Sequence, residues 1–171
     1  MCGIVGYVGK NQAPSILIDG LGKLEYRGYD SAGIAVFDGN EINIAKTKGR
    51  LSNLIKLLLE NPLSGTIGIG HTRWATHGAP SDTNSHPHIS EDHKIAVVHN
   101  GIIENYMDIK EELLKEGYHF LSETDTETIA HLIDYYYKES MDFEDSVFKA
   151  VSRLEGSYAL GIICKDSPDK L

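Results

Sequence analysis

The first nine residues constrain this chain most, because they place a cysteine directly ahead of an apolar run. Cys2 follows Met1, and residues 3–9 intersperse glycine with isoleucine, valine and tyrosine. Such a run predicts a buried strand. Chain ends usually fray, so a cysteine at the head of a core strand is a candidate functional group.

Removal of Met1 would give Cys2 a free α-amine beside its thiol. An α-amine has an ordinary pKa of about 7.7–8.0, so it can serve as a base near neutral pH. A thiol with a base in the same residue needs no separate catalytic histidine. At this point the alternative, a small buried residue without chemistry, stays open.

Composition and charge exclude several classes of protein. The chain has 171 residues, 41% hydrophobic and 24% charged, which is typical of one soluble domain with a core. A net charge of −9 without any block of Lys and Arg argues against nucleic acid and anionic membranes as partners. No stretch predicts a membrane-spanning helix or a secretory leader, so a cytoplasmic location is expected. Cys2 and Cys164 lie too far apart in sequence to indicate a disulfide framework, and Cys164 is predicted to be core.

Short apolar runs joined by turns alternate with amphipathic stretches. Strands are predicted at 34–37, 42–46, 67–71, 95–98, 118–121 and 157–164, and helices at 11–24, 52–61, 106–114, 124–136 and 147–154. Thr124 and Glu127 match a capping box at the start of the fourth helix. The hairpins favour antiparallel sheets, and the helices exclude a plain sandwich. An α+β layered fold forming a single domain over residues 1–171 is therefore expected.

A metal site is an alternative that the histidines raise. Six of them lie between residues 71 and 99, and His86 and His88 stand at a spacing that two ligands could use. No cysteine joins them, and no His-Glu-x-x-His pattern occurs. Hydrogen bonding in loops and core is the preferred interpretation, with no metal expected.

Six motifs occur in a fixed order along the chain. They are CGIVG at 2–6, YRGYDSAG at 26–33, HTRWATHG at 71–78, HPH at 86–88, VHNGIIEN at 98–105 and SETDTE at 122–127. Together they resemble the glutaminase domain of class II glutamine amidotransferases, most closely the amino-sugar branch. The resemblance covers essentially the whole chain. It implies an N-terminal-nucleophile hydrolase fold, a four-layer αββα sandwich with antiparallel sheets, and removal of Met1.

The resemblance also implies an activity and a role for each matching residue. The activity is hydrolysis of the side-chain amide of L-glutamine to glutamate and ammonia through a Cys2 thioester, without a cofactor. Asn100 and Gly101 would form the oxyanion hole. Arg73 would bind the substrate α-carboxylate and Asp125 its α-ammonium. Supporting roles would go to Thr76 and His77 beside the substrate, to Arg27 and Gly28 behind the nucleophile strand, and to Trp74 in a loop that closes over glutamine.

The partners expected from the resemblance depend on a second half that residues 1–171 do not resemble. In the family's amino-sugar enzymes, a sugar-phosphate isomerase half uses the ammonia to convert fructose 6-phosphate to glucosamine 6-phosphate. The domain by itself is expected to be a monomer, and the longer enzyme a homodimer through that half. Two alternatives stay open: a purine- or asparagine-forming branch of the family, and a catalytically silent domain that senses glutamine.

Overall fold

The computed structural model describes residues 2–27, 29–74 and 78–171, with the backbone alone for Arg27. The strands are β1 (Gly3–Val8), β2 (Ser31–Phe37), β3 (Ile42–Lys48), β4 (Ile67–Arg73), β5 (His88–Ile89), β6 (Ile95–Ile103) and β7 (Gly156–Cys164). The helices are α1 (Ala13–Leu24), α2 (Leu51–Glu60), α3 (Tyr106–Lys115), α4 (Asp125–Ser140) and α5 (Phe143–Arg153), and a 3₁₀ turn (Glu25–Arg27) follows α1. None of the helices in these ranges is long and apolar enough to cross a bilayer.

Two antiparallel sheets pack face to face. The first has the strand order β1-β4-β2-β3 and the second β5-β6-β7. Helices α1 and α2 cover the outer face of the first sheet, and α3, α4 and α5 contribute to the core on the outer face of the second. A third apolar cluster fills the space between the sheets. The layers therefore run α, β, β, α, as expected.

The alternation of side chains along β2 shows why the sequence folds in this way. Ile34 and Val36 point into the cluster beneath α1, whereas Ala35 and Phe37 point between the sheets. Successive residues of a strand face opposite sides, so a strand covered on both faces reads as a continuous apolar run. Burial on both faces also fixes the register, because a shift of one residue would exchange the two sets.

One predicted element was wrong in kind, and several boundaries differ: α5 begins at Phe143 instead of residue 147, and β6 continues to Ile103 instead of ending at residue 98. Residues 118–121, predicted as a strand, form no strand pair. The backbone there instead hydrogen-bonds to the last turn of α3. Tyr118 N–H donates to Leu113 O at 3.0 Å, and Gly117, at φ +93°, reverses the chain. Helix α2 begins at Leu51, one residue before the predicted start at 52, and Leu51 is buried in the core.

The predicted capping box is half formed. The Thr124 hydroxyl accepts from Glu127 N–H at 3.4 Å, which caps α4 as expected. The Glu127 carboxylate does not return to Thr124 but accepts from the N–H groups of Leu121 and Ser122, at 2.9 and 2.7 Å. This single carboxylate therefore ties the segment before α4 to the helix start.

Gly33 allows the backbone of residue 86 to cross β2 closely. A Cβ at position 33 would overlap the carbonyl oxygen of His86 and lie 2.6 Å from Lys46 Cβ. We expect Gly33→Ala to lower the free energy of unfolding by about 3 kcal/mol, because neither neighbour can move without disturbing the sheet. Urea denaturation measures the effect.

The matched control for Gly33 is Gly22→Ala in α1. Its added methyl would meet only Leu51 Cδ2, at an ordinary 3.8 Å. Alanine is the better helix former, so this variant should be as stable as the parent or up to about 1 kcal/mol more stable. Equal stability of the two variants would contradict the close approach at Gly33.

Candidate active site

Cys2 is held where the first residues of β1 meet the end of β4. Gly3 pairs with Thr72, so Cys2 comes beside the residues that follow β4. Trp74 N–H points at Cys2 Sγ from 3.1 Å, and Trp74 O lies 3.4 Å from the same sulfur. The thiol is half-buried. A backbone N–H directed at sulfur suits an anionic thiolate.

Asn100 reaches this corner from the opposite sheet. It lies near the middle of β6, and its Nδ2 donates to Cys2 O at 3.3 Å. Its Oδ1 lies 2.7 Å from His71 Nε2 of β4. The next residue, Gly101, has a φ of +122°, and a Cβ there would overlap Ser157 O. Position 101 therefore accepts only glycine, and the exposed Gly101 stands next to the Asn100 amide.

Arg73 is the last residue of β4 and is almost fully buried, with 4% of its surface exposed. Its Nη2 donates to Gly78 O at 3.1 Å, and its Nη1 lies 3.8 Å from Asp30 Oδ1. Asp30 N–H in turn donates to Arg73 O at 2.7 Å. Of the sequence motif at 26–33, it is therefore Asp30 that contacts the site, a residue to which the sequence motifs assigned no role.

Asp125 is the first residue of α4 and is buried at the end of β6. Its Oδ2 accepts from Ile103 N–H at 3.0 Å, and its Oδ1 lies 3.7 Å from His99 Nδ1. The start of a helix carries a partial positive charge, so an acidic residue suits this position. The structure thus holds a carboxyl group in a buried place beside the end of β6.

Four predicted site features lie outside the described residues. They are Gly28, Thr76, His77 and the side chain of Arg27. Trp74 is described, and its exposed fraction of 54% leaves it at the surface beside Cys2. Cys164, predicted to be core, is buried in β7.

A cluster of buried imidazoles lies behind the site, and sequence analysis did not assemble it. The rings of His71 and His86 stack with centroids 4.3 Å apart. The Thr126 hydroxyl lies 3.1 Å from both His86 Nε2 and His99 Nδ1. The available signal was that His71 and His99 each lie near the end of a strand, where side chains from two sheets can meet.

Burial keeps the imidazoles of His71, His86 and His88 neutral. It lowers the pKa of His71 to about 4 and the pKa values of His86 and His88 well below the ordinary 6.5. His88 Nε2 lies 3.0 Å from the Thr124 hydroxyl. Among the residues that the structure describes, no three His, Cys, Asp or Glu side chains are grouped as a metal ion would require.

Lys46 holds the segment that carries His86 in place. Its ammonium donates to the carbonyl oxygens of Thr83, Ser85 and Pro87, at 3.2, 2.8 and 3.2 Å. An ammonium has three donors, so the three carbonyls use all of them. This contact joins β3 to the segment before β5 and thereby fixes the backbone on both sides of His86.

Comparison with a family model identifies the family to which this chain belongs. The model of the glutamine amidotransferase domain matches residues 71–170, which is more than half of the chain. The chain belongs to the glutamine amidotransferase domain family.

Relatives of this amidotransferase domain include much longer proteins. It is 61% identical, over all 171 residues, to the glutamine–fructose-6-phosphate aminotransferase (isomerizing) of Clostridium perfringens. It is 53% identical over the same length to the enzyme of that name from Pyrococcus horikoshii. The chain spans only 28% and 29% of the length of these two relatives.

Solved structures confirm the fold of the amidotransferase domain. The glutamine phosphoribosylpyrophosphate amidotransferase from B. subtilis, complexed with ADP and GMP, superposes with a TM-score of 0.81 at 30% identity. That likeness covers 96% of this chain and 35% of the other. A glutamine aminotransferase class-II domain protein from Silicibacter pomeroyi, at 15% identity and a TM-score of 0.56, shares the fold. The expected N-terminal-nucleophile αββα architecture is therefore confirmed.

Proposed function

We propose that this domain hydrolyses the side-chain amide of L-glutamine to glutamate and ammonia, with Cys2 as the nucleophile. The observation that carries the proposal is the meeting of Cys2 with Asn100. A half-buried thiol at the head of β1 has an amide donor from the opposite sheet within 3.3 Å of its own carbonyl oxygen. Two strands that are far apart in sequence thus bring together the residues that we propose as nucleophile and oxyanion donor.

The reaction follows from groups at this corner. Once Met1 is removed, the Cys2 α-amine takes the thiol proton, and the thiolate attacks the glutamine amide carbon. Asn100 Nδ2–H and Gly101 N–H stabilise the resulting oxyanion. The amine returns the proton to the departing nitrogen, ammonia leaves, and a thioester remains. Water then cleaves the thioester, releasing glutamate and restoring the thiol.

Selection of a free amino acid falls to two opposite charges. Arg73 pairs with the substrate α-carboxylate and Asp125 with the α-ammonium, and each is a buried, charged side chain. Thr76 and His77 assist Arg73, Trp74 closes over the substrate, and Arg27 and Gly28 support the nucleophile strand. A peptide lacks one or both of the free charged groups, so it would leave a buried charge unpaired.

The substrate that accepts the ammonia would bind to a part of the longer protein outside this domain. The names of the relatives favour one of the candidate acceptors. Curated relatives with 61% identity are named for fructose 6-phosphate, whereas the matching purine-pathway structures are only 30–31% identical. We therefore propose that the intact protein transfers ammonia to fructose 6-phosphate and forms glucosamine 6-phosphate. The isomerase half would lie outside residues 1–171 and form the homodimer contact, leaving this domain monomeric by itself.

The test of the proposal is glutamate release from L-glutamine, with the N-terminal residue identified by intact mass. Glutamate and ammonia should appear in equal amounts when Cys2 is the first residue, and retention of Met1 should block release. If the intact protein with Cys2 at its terminus binds glutamine in a calorimetric titration without turnover, the proposed hydrolysis is wrong and a glutamine sensor is favoured.

Asp125→Asn tests the charge pairing separately from the chemistry. The amide oxygen can still accept from Ile103 N–H, whose present bond to Asp125 Oδ2 is 3.0 Å, so the fold should survive. We expect KM for glutamine to rise about 100-fold with kcat within a few-fold, because a buried charge pair with the substrate ammonium is lost. Steady-state kinetics measure both constants.

The matched control is Asp108→Asn, which also removes a carboxylate from the first turn of a helix, here α3. Asp108 is exposed and contributes to none of the site contacts described above. Its KM should equal that of the parent. An unchanged KM in Asp125→Asn would remove Asp125 from substrate binding.

A further inference from the structure

His71 stands directly behind the Asn100 amide and is fully buried in β4. The distance from its Nε2 to Asn100 Oδ1 is 2.7 Å, and the Asn100 Nδ2 on the other side donates to Cys2 O. The order of contacts is therefore imidazole, amide, nucleophile residue. His71 would therefore act on the substrate only through Asn100.

The protonation state of His71 follows from its surroundings. Burial lowers the pKa of His71 to about 4, and the neighbouring His99 and Arg73 oppose a further positive charge. The stacked His86 ring is neutral for the same reason of burial. His71 is therefore uncharged at neutral pH and carries a single ring proton.

That proton lies on Nε2. The carbonyl oxygen of Cys2 only accepts, so the Asn100 atom that faces it is the NH₂ group and the atom that faces His71 is Oδ1. A carboxamide oxygen also only accepts, so His71 Nε2 donates in the 2.7 Å contact.

The contacts with Cys2 O and with His71 together hold the Asn100 amide in one orientation. Turned by 180°, its NH₂ group would face the Nε2–H of His71, which places donor against donor. Its oxygen would face Cys2 O, which places acceptor against acceptor. Both contacts are buried or half-buried, where an unpaired polar group costs about 1–3 kcal/mol. His71 thereby reinforces the orientation that turns an N–H toward Cys2.

We propose that His71 is a positioning residue for the oxyanion hole, fixing the Asn100 amide so that its N–H faces the reacting centre at Cys2. The proposal rests on the glutamine hydrolysis proposed above. A bond to the amide oxygen also polarises the amide and strengthens the N–H on the other side as a donor. The effect belongs to the transition state, because the oxyanion forms only there.

Two amide substitutions of His71 form a matched pair. In His71→Gln, the side-chain N–H can reach about where the imidazole Nε2–H lies. In His71→Asn, the shorter side chain leaves the N–H near the former Nδ1. Both variants bury one neutral amide, so their effects on folding should be alike, and a comparison of thermal midpoints checks this.

We expect His71→Asn to lower kcat about 100-fold with KM within about threefold, since loss of one oxyanion donor costs roughly 10²–10³ in rate. His71→Gln should recover to within about tenfold of the parent. Alkylation of Cys2 by iodoacetamide needs no oxyanion hole and should proceed at the parental rate in both variants. A role limited to holding the fold would instead change thiol reactivity, and would affect both variants equally.

A double variant decides whether His71 acts through Asn100. If it does, His71→Asn combined with Asn100→Ala should be no slower than Asn100→Ala alone. Full addition of the two losses, or equal rates for the Gln and Asn variants, would overturn the proposal. The intact parental protein separates the two hypotheses: if it releases no glutamate, the hydrolysis fails. If it turns over and His71→Asn matches it, only the positioning role fails.

Discussion

Cys2→Ala is expected to lower glutamine hydrolysis by about 10⁴-fold or more, to the limit of detection. Removal of the nucleophile leaves only binding and the oxyanion donors, and catalytic groups that act as a unit fail together in this way. Glutamine binding should survive, because the charge pairs of Arg73 and Asp125 do not involve the sulfur. Glutamate release and a calorimetric titration on the same preparation measure the two properties.

Cys164→Ala is the matched control for the nucleophile. Cys164 is the other cysteine of the chain, buried in β7 opposite Ile95, and burial raises the pKa of its thiol. A thiol that stays protonated is a poor nucleophile, so this variant should retain the parental kcat within about twofold. The nucleophile assignment is wrong if Cys2→Ala keeps more than a tenth of the parental rate.

Mild acid is expected to destabilise the fold steeply, with a loss that begins near pH 6.5. His71, His86 and His88 all have folded-state pKa values below that of an unfolded histidine, which is about 6.5. Above pH 6.5 all three are neutral in both states and cost nothing. Below it, the unfolded chain binds protons that the folded chain refuses, so stability falls as the pH falls, down to about pH 4 for His71.

The size of this effect follows from the number of imidazoles. Each contributes about 1.4 kcal/mol per pH unit, so three together give up to about 4 kcal/mol per unit between pH 6 and pH 5. The Glu127 carboxylate does not contribute to the slope in this pH range. Burial works against ionisation of Glu127, but bonds from His131, Leu121 N–H and Ser122 hold its pKa at about 2, so its contribution is lost only in stronger acid.

Urea denaturation of the chain at pH 7.5, 6.5, 5.5 and 5.0 measures the slope. His71→Gln is the internal control, because it removes one titrating group and should reduce the slope by about a third. A free energy of unfolding that stays level from pH 7 to pH 5 would mean that the folded protein accepts these protons, contrary to the buried cluster.

Sequence reasoning succeeded where the signal is local or carried by a whole set of motifs. The Thr124 cap and the hairpin between β2 and β3 follow from neighbouring residues. It failed at 118–121, because Tyr118 and Phe120 pack in the cluster formed with α3 and α4 instead of lying in a strand pair, and no local pattern separates the two outcomes. The resemblance supplied the family and the αββα order, which hydrophobic periodicity alone left as an unspecified layered fold.

The candidate site divides in the same way. Cys2 and Asn100 are each visible in the sequence, but their contact joins residues 98 positions apart and depends on how two sheets pack. In the sequence, nothing distinguishes His71 from the other residues of its strand. Its contact with Asn100 exists only because β4 and β6 face each other. The partnership of Arg73 with Asp30 likewise requires the backbone of residue 30 to run beside the end of β4.

The contact of Lys46 with three carbonyl oxygens has a consequence for how such sequences can diverge. Every amino acid carries the main-chain oxygen that Thr83, Ser85 and Pro87 supply, so substitutions at these positions preserve the acceptors as long as the backbone path is kept. Position 46 has no such freedom, since a planar guanidinium cannot direct three donors to convergent oxygens as an ammonium does. We therefore expect position 46 to tolerate fewer substitutions than positions 83 and 85, whose side chains take no part in this contact.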